Sequence, residues 1–98
     1  MTMIPVQPGD LVSQRPRTAV VYSLSEDDWG RLPEPVQVTS IRPAGLDGTL
    51  AVEVRRERES RRARVCLEVS GGIAGARYEV RLTPTKAFQV RVTGVATP

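Results

Sequence analysis

The densest chemistry in this chain is a ten-residue run, Arg55-Arg56-Glu57-Arg58-Glu59-Ser60-Arg61-Arg62-Ala63-Arg64. Its six guanidinium groups against two carboxylates give +4, while the whole chain of 98 residues carries +3, so everything outside the run nets to −1. The basic character is therefore local. Two kinds of partner suit such a run. One is a nucleic-acid backbone, bound through counterion release; the other is a set of carboxylates on another protein, met two hydrogen bonds at a time by the planar guanidinium fork. Base stacking would need aromatic neighbours, and none lies in the run. The two Glu can pair with Arg across a hairpin. A solvated charged hairpin is thus the first reading of Arg55, Arg56, Arg58, Arg61, Arg62 and Arg64, a protein–protein contact the second, and nucleic acid a distant third.

Little else in the sequence is equipped for catalysis. There is no His, which removes Ser-His-Asp and Cys-His arrangements and any His-ligated metal. Glu26-Asp27-Asp28 puts three acids side by side just before Trp29-Gly30, but lacks the alternating oxygen ligands of a calcium loop, so it reads as a turn. Gly71-Gly72 and Gly75 precede a strand pattern and not a helix, unlike a phosphate-binding loop. The single cysteine, Cys66, has no partner for an intrachain disulfide, and a lone thiol makes a poor transition-metal site. The chain is expected to be no enzyme and to take no cofactor and no metal. Cys66 is out of phase with Val65 and Leu67 and should face away from their core, toward the surface or a subunit contact. Trp29, the sole Trp, stands in a polar stretch. It either anchors an interface or covers the end of the core, and the sequence leaves both open.

The elements that must position these residues have a period of two. Val20, Tyr22 and Leu24 share one face of a strand; so do Leu50, Val52 and Val54; Val65, Leu67 and Val69; Tyr78, Val80 and Leu82; and Phe88, Val90 and Val92. Polar or charged residues fill the alternate positions, the pattern of half-buried antiparallel strands. Val36 to Ile41 is a sixth strand, less cleanly phased. Turn signals separate the runs at Pro33–Pro35, Pro43-Ala44-Gly45, Asp47-Gly48, Gly71-Gly72 with Gly75, and Pro84-Thr85. The Arg-rich run therefore falls at the tip of a hairpin. Residues 1–12, with Pro5, Pro8 and Gly9, read as an extended N-terminal arm or edge segment. No apolar run is long enough to span a membrane, and Met1 to Val6 lacks the marks of a signal peptide. One domain over residues 1–98, made in a reducing cytoplasm, is expected.

Three stretches carry a family resemblance. Ser70-Gly71-Gly72-Ile73-Ala74-Gly75-Ala76-Arg77-Tyr78-Glu79-Val80-Arg81-Leu82, Pro43-Ala44-Gly45-Leu46, and Tyr22 followed by Trp29 together resemble the small phage virion proteins known as fibre-tail adaptors. The likeness covers residues 17 to 93, and the Arg-rich run departs from it. The resemblance implies an immunoglobulin-like β-sandwich, all-β, with six to seven strands. It also implies a structural role in the tail region of a virion: an adaptor in several copies, joined to tail tube or adaptor proteins and to tail fibres. No catalytic residue, small-molecule substrate, nucleic acid or membrane is implied. Tyr78 resembles the tyrosine-corner residue of such domains, buried, with its hydroxyl bonded to backbone within residues 70–75. Two rivals remain at this level: a free-standing module for carbohydrate or cell surfaces, and a small nucleic-acid-binding β domain using the Arg hairpin. The first needs exposed aromatics, and only Tyr22, Trp29, Tyr78 and Phe88 exist.

Overall fold

Each run read as period two is a strand in the computed structural model, which describes residues 3–30, 36–59 and 62–94, with backbone alone at 57–59 and 62–64. In chain order the strands are β1 (Met3–Pro5), β2 (Leu11–Gln14), β3 (Val20–Leu24), β4 (Gln37–Arg42), β5 (Leu50–Glu59), β6 (Arg62–Gly71), β7 (Arg77–Arg81) and β8 (Ala87–Val92). They form two four-stranded sheets, ordered β1-β3-β6-β5 and β2-β8-β7-β4. That strand order is the immunoglobulin-like one, with the N-terminal segment divided between the sheets. The turn signal at Pro33–Pro35 lies outside the described residues.

The core is the sum of the alternating faces. Tyr22, Leu24, Leu50, Leu67 and Val69 from one sheet meet Tyr78, Val80, Phe88, Val90 and Val92 from the other, all buried. Phe88 sits at its centre, 5.8 Å from the Tyr22 ring and 6.0 Å from the Trp29 ring, the latter edge-on. Such tilted pairs add about 0.5–1.5 kcal/mol each beyond the area they bury.

Trp29 is therefore no surface anchor. It is 1 % exposed, and its indole N–H donates to the Val6 carbonyl at 2.8 Å. What turns it inward is a one-turn helix, α1 (Glu26–Trp29). Ser25 caps it by accepting the Asp28 N–H at 3.2 Å, its three acids lie in the first turn, and Gly30 ends it at φ +73. Cap, acids and terminal glycine are the ordinary signals of a helix start and stop. They lift Asp27 and Asp28 toward solvent and swing Trp29 under Val6.

Among the described residues there are eight strands where six to seven were expected, and the reason lies in residues 3–14. Met3–Pro5 pairs parallel with Val21–Ser23. The chain then crosses at Val6–Asp10 and Leu11–Gln14 pairs parallel with Gln89–Val92. The segment is extended, but it supplies an edge to each sheet instead of standing off as an arm. Strands of three and four residues are too short for alternation to reveal them. The crossing is held by Gly9 N–H to the Ala87 carbonyl and Gln89 N–H to the Asp10 carbonyl, both 2.8 Å.

Two buried polar residues, Gln14 and Ser40, carry no signal in the sequence. Gln14 is 5 % exposed; its amide donates to the Val69 carbonyl at 3.0 Å and its oxygen accepts the Tyr22 hydroxyl at 2.7 Å. It ties β2 in one sheet to β3 and β6 in the other. Burial pushes the Tyr22 hydroxyl up to about 12 from an ordinary 10, because phenolate would lose its hydration there.

This core sets two expectations. Trp29→Ala should lower unfolding free energy by about 3–5 kcal/mol, the usual cost of emptying a buried aromatic site, as read from urea melts; an interface Trp would leave the melt unchanged. Stability should also fall with alkali, since the folded chain keeps the Tyr22 proton where the unfolded chain loses it. This contribution is complete below pH 10 and is lost as pH rises through about 12. Denaturant melts across that window should show a shallower fall for Tyr22→Phe than for the unaltered chain.

Candidate interaction surface

The Arg-rich run lies where the sequence placed it, on the β5–β6 hairpin, and the register explains its composition. β3 pairs with β6 only from Leu24↔Val65 to Val20↔Val69. The β5–β6 pairing meets that limit at Arg56↔Val65 and continues past it through Glu57↔Arg64 and Arg58↔Ala63 to Glu59↔Arg62. The hairpin thus outruns its sheet as a two-stranded ribbon. At the positions in phase with the core, β5 reads Leu50, Val52, Val54 and then Arg56 and Arg58. The change from aliphatic to Arg marks the end of the sandwich, since a charge in the core phase would be costly anywhere further in.

Strand alternation divides the charges between two faces. On the outward phase stand Arg55, Glu57 and Glu59 of β5 with Arg64 and Arg62 of β6; Glu57 is directly opposite Arg64, and Glu59 opposite Arg62. Arg55 also bridges to Glu68 at 2.6 Å. An exposed ion pair such as Arg55–Glu68 adds a few tenths of a kcal/mol to about 1 kcal/mol. On the core phase stand Arg56 and Arg58, with Val65 and Ala63 at the facing positions. Acids and bases thus alternate across one face of the ribbon, while the other phase carries Arg alone among its charged residues. Arg56 is exposed; Arg61 lies outside the described residues.

The thiol departs from expectation. Cys66 does face away from the core cluster, yet it is 1 % exposed. Met3 of β1 covers it, with sulfur to sulfur 3.4 Å. Outward phase predicts exposure only when nothing lies over the sheet, and the N-terminal strand was invisible to the periodicity.

Tyr78 is fully buried, and its hydroxyl accepts the Ile73 N–H at 3.1 Å. The same hydroxyl bonds to the Thr49 hydroxyl, which itself donates to the Leu46 carbonyl at 2.6 Å. Thr49 has one proton, so the direction is set: Ile73 N–H to Tyr78 O–H to Thr49 O–H to Leu46 carbonyl. The Pro43–Leu46 and Ser70–Gly75 stretches are thus joined through one phenol. Gly72 completes the joint. Its φ is +86, and a Cβ there would stand 2.7 Å from Val92 Cγ2 and 3.3 Å from the Tyr78 ring.

Among the described residues, no group of three His, Cys, Asp or Glu could hold a metal ion, and no helix is long and apolar enough to cross a membrane. Compared with family models and with curated proteins, the chain matches none.

Tyr78→Phe should cost about 1–2 kcal/mol, the value of a lost hydrogen bond plus a stranded donor. The partner change Thr49→Val should be non-additive with it in a double-mutant cycle of urea melts. Additive losses would mean that the hydroxyl chain does not act as a unit.

Proposed function

We propose that this chain is a structural adaptor of a phage tail, which joins tail components and tail fibres through protein–protein contacts and is present in several copies. The observation that carries this reading is the ribbon that outruns its sheet, with its charge sorted by face. On the outward phase Glu57 and Glu59 stand opposite Arg64 and Arg62. The core phase carries Arg56, level with the last β3 row, and Arg58 one row beyond it. A guanidinium fork is suited to carboxylates on a neighbouring protein. The residue resemblance over 17–93 supports the tail assignment. The buried places of Tyr22, Trp29, Tyr78 and Phe88 count against carbohydrate stacking, since these are all the aromatics in the chain.

In this reading the sandwich is a finished, rigid mount, and the ribbon docks on an acidic surface of a neighbouring virion protein. Replacing Arg58, Arg61 and Arg62 with Ala is expected to leave the thermal melt unchanged and to block incorporation into particles in an assembly assay. Normal incorporation of the triple variant would reduce the run to a charged turn that only aids solubility. Tight, steeply salt-dependent binding of duplex DNA by the unaltered chain would favour nucleic acid instead.

A further inference from the structure

Two sheets of four strands have four edges, and three of them are blunted. β1 is three residues long and ends in Pro5. β2 has four residues. β4 carries a register break between Ser40 and Arg42 and runs directly into Pro43. Short strands, prolines and bulges are the usual means by which a sheet edge is made unfit for further pairing. β5 has none of these three; the device it carries is charge, and that charge is of both signs, at Glu53, Arg55 and Arg56. Its ten residues keep continuous register with β6 from Leu50 to Glu59, without Pro, Gly or bulge. Among the described residues its other side has no strand. Val52 and Val54 are only partly buried there although they pack on the core.

We infer that β5 pairs antiparallel with β5 of a second copy of this chain, about a two-fold axis at Val54, to make one continuous eight-stranded sheet. A closed two-fold pair must be self-complementary, and a two-fold axis normal to the sheet places odd residues of one copy opposite odd residues of the other. Centred on Val54, the pairing sets Glu53 of each copy opposite Arg55 of the other, with valine against valine on the axis. A slip to Glu53 or to Arg55 as centre would put identical charges face to face across the axis. The charges thus favour the Val54 register over the slips on either side of it, and it alone of the three pairs Glu53 with Arg55.

The chain itself leaves Glu53 wanting a cation. Glu53 is exposed, stands directly opposite Glu68 of β6, and makes no side-chain ion pair with any described residue. The nearby bridge from Arg55 goes to Glu68. In the dimer each Arg55 lies between Glu68 of its own chain and Glu53 of the other. On the inner face, Val54 from both copies closes over the half-exposed aliphatic edge. The inference does not rest on the tail-adaptor reading, since it concerns the β5 edge and not the docking face of the ribbon.

The test uses the full chain and two charge reversals in sedimentation velocity, with circular dichroism to check folding. The unaltered chain should sediment as a dimer that dissociates on dilution. Glu53→Arg and Arg55→Glu should each sediment as monomers, because each sets like charges opposite one another. An equimolar mixture of the two should regain the dimer mass, since both positions are then positive in one chain and negative in the other. The chain carrying Glu53→Arg and Arg55→Glu together should dimerise by itself. Hydrogen exchange on the unaltered chain provides a readout that does not depend on either variant folding. Alternate amides of β5, those not bonded to β6, should become protected as concentration rises. A chain that stays monomeric at every concentration, a dimer insensitive to both reversals, or β5 amides that exchange freely in the dimer would each overturn the inference.

Discussion

Three of the four aromatic side chains face the same physical demand: each ring belongs in the apolar core, while each polar atom requires a partner once it is there. The fold meets this demand by setting each polar atom against a segment that the sheets alone would not hold. Trp29 Nε1 donates to the Val6 carbonyl and secures the crossing of the N-terminal segment. The Tyr22 hydroxyl donates to Gln14, which fastens the second half of that segment to the opposite sheet. Tyr78 joins the Leu46–Thr49 turn to the Ile73 loop. Among the described residues no buried side-chain polar atom lacks a hydrogen-bond partner. The connections between strands are therefore as determined as the strands, and both ends of the sandwich are closed by the residues that fill its middle.

Closure of the ends has a consequence for the surface. With the N-terminal segment lining one edge of each sheet, and β4 broken at Ser40, the β5–β6 hairpin is the element left to extend beyond the sandwich. Its composition follows its position. As far as the row of Val54 and Leu67 the core-phase residues are Val and Leu; β5 carries Arg56 in the last β3 row, that of Leu24 and Val65, and Arg58 opposite Ala63 beyond it. The same ribbon then offers two different things: an edge of backbone groups along Leu50–Glu59, and a face of like charge near its tip. Both are surface features, and neither uses the interior.

The six longer strands, the single basic run and its place on a hairpin were legible in the sequence because each is a local property. A period of two is visible within five residues, and a block of charge needs no partner to be seen. What could not be read was anything that depends on which strand lies beside which. β1 and β2 carry too few residues to show a period, and their parallel pairing with β3 and β8 joins positions far apart in the chain. Cys66 lies on the outward phase that alternation requires, yet it is buried because Met3 covers it. Trp29 stood in a polar stretch and is buried because a single capped turn reverses its direction. Gln14 carried no sequence signal at all, since a buried amide looks like any surface amide until the Val69 carbonyl and the Tyr22 hydroxyl are beside it. Even the basic run changed in meaning. Its net charge is a property of composition, but the separation of that charge into a mixed face and a basic face is a property of register, set by the pairing of Glu57 with Arg64 and of Glu59 with Arg62. Alternation is encoded residue by residue, whereas burial and pairing are decided between segments, and only the folded chain brings those segments together.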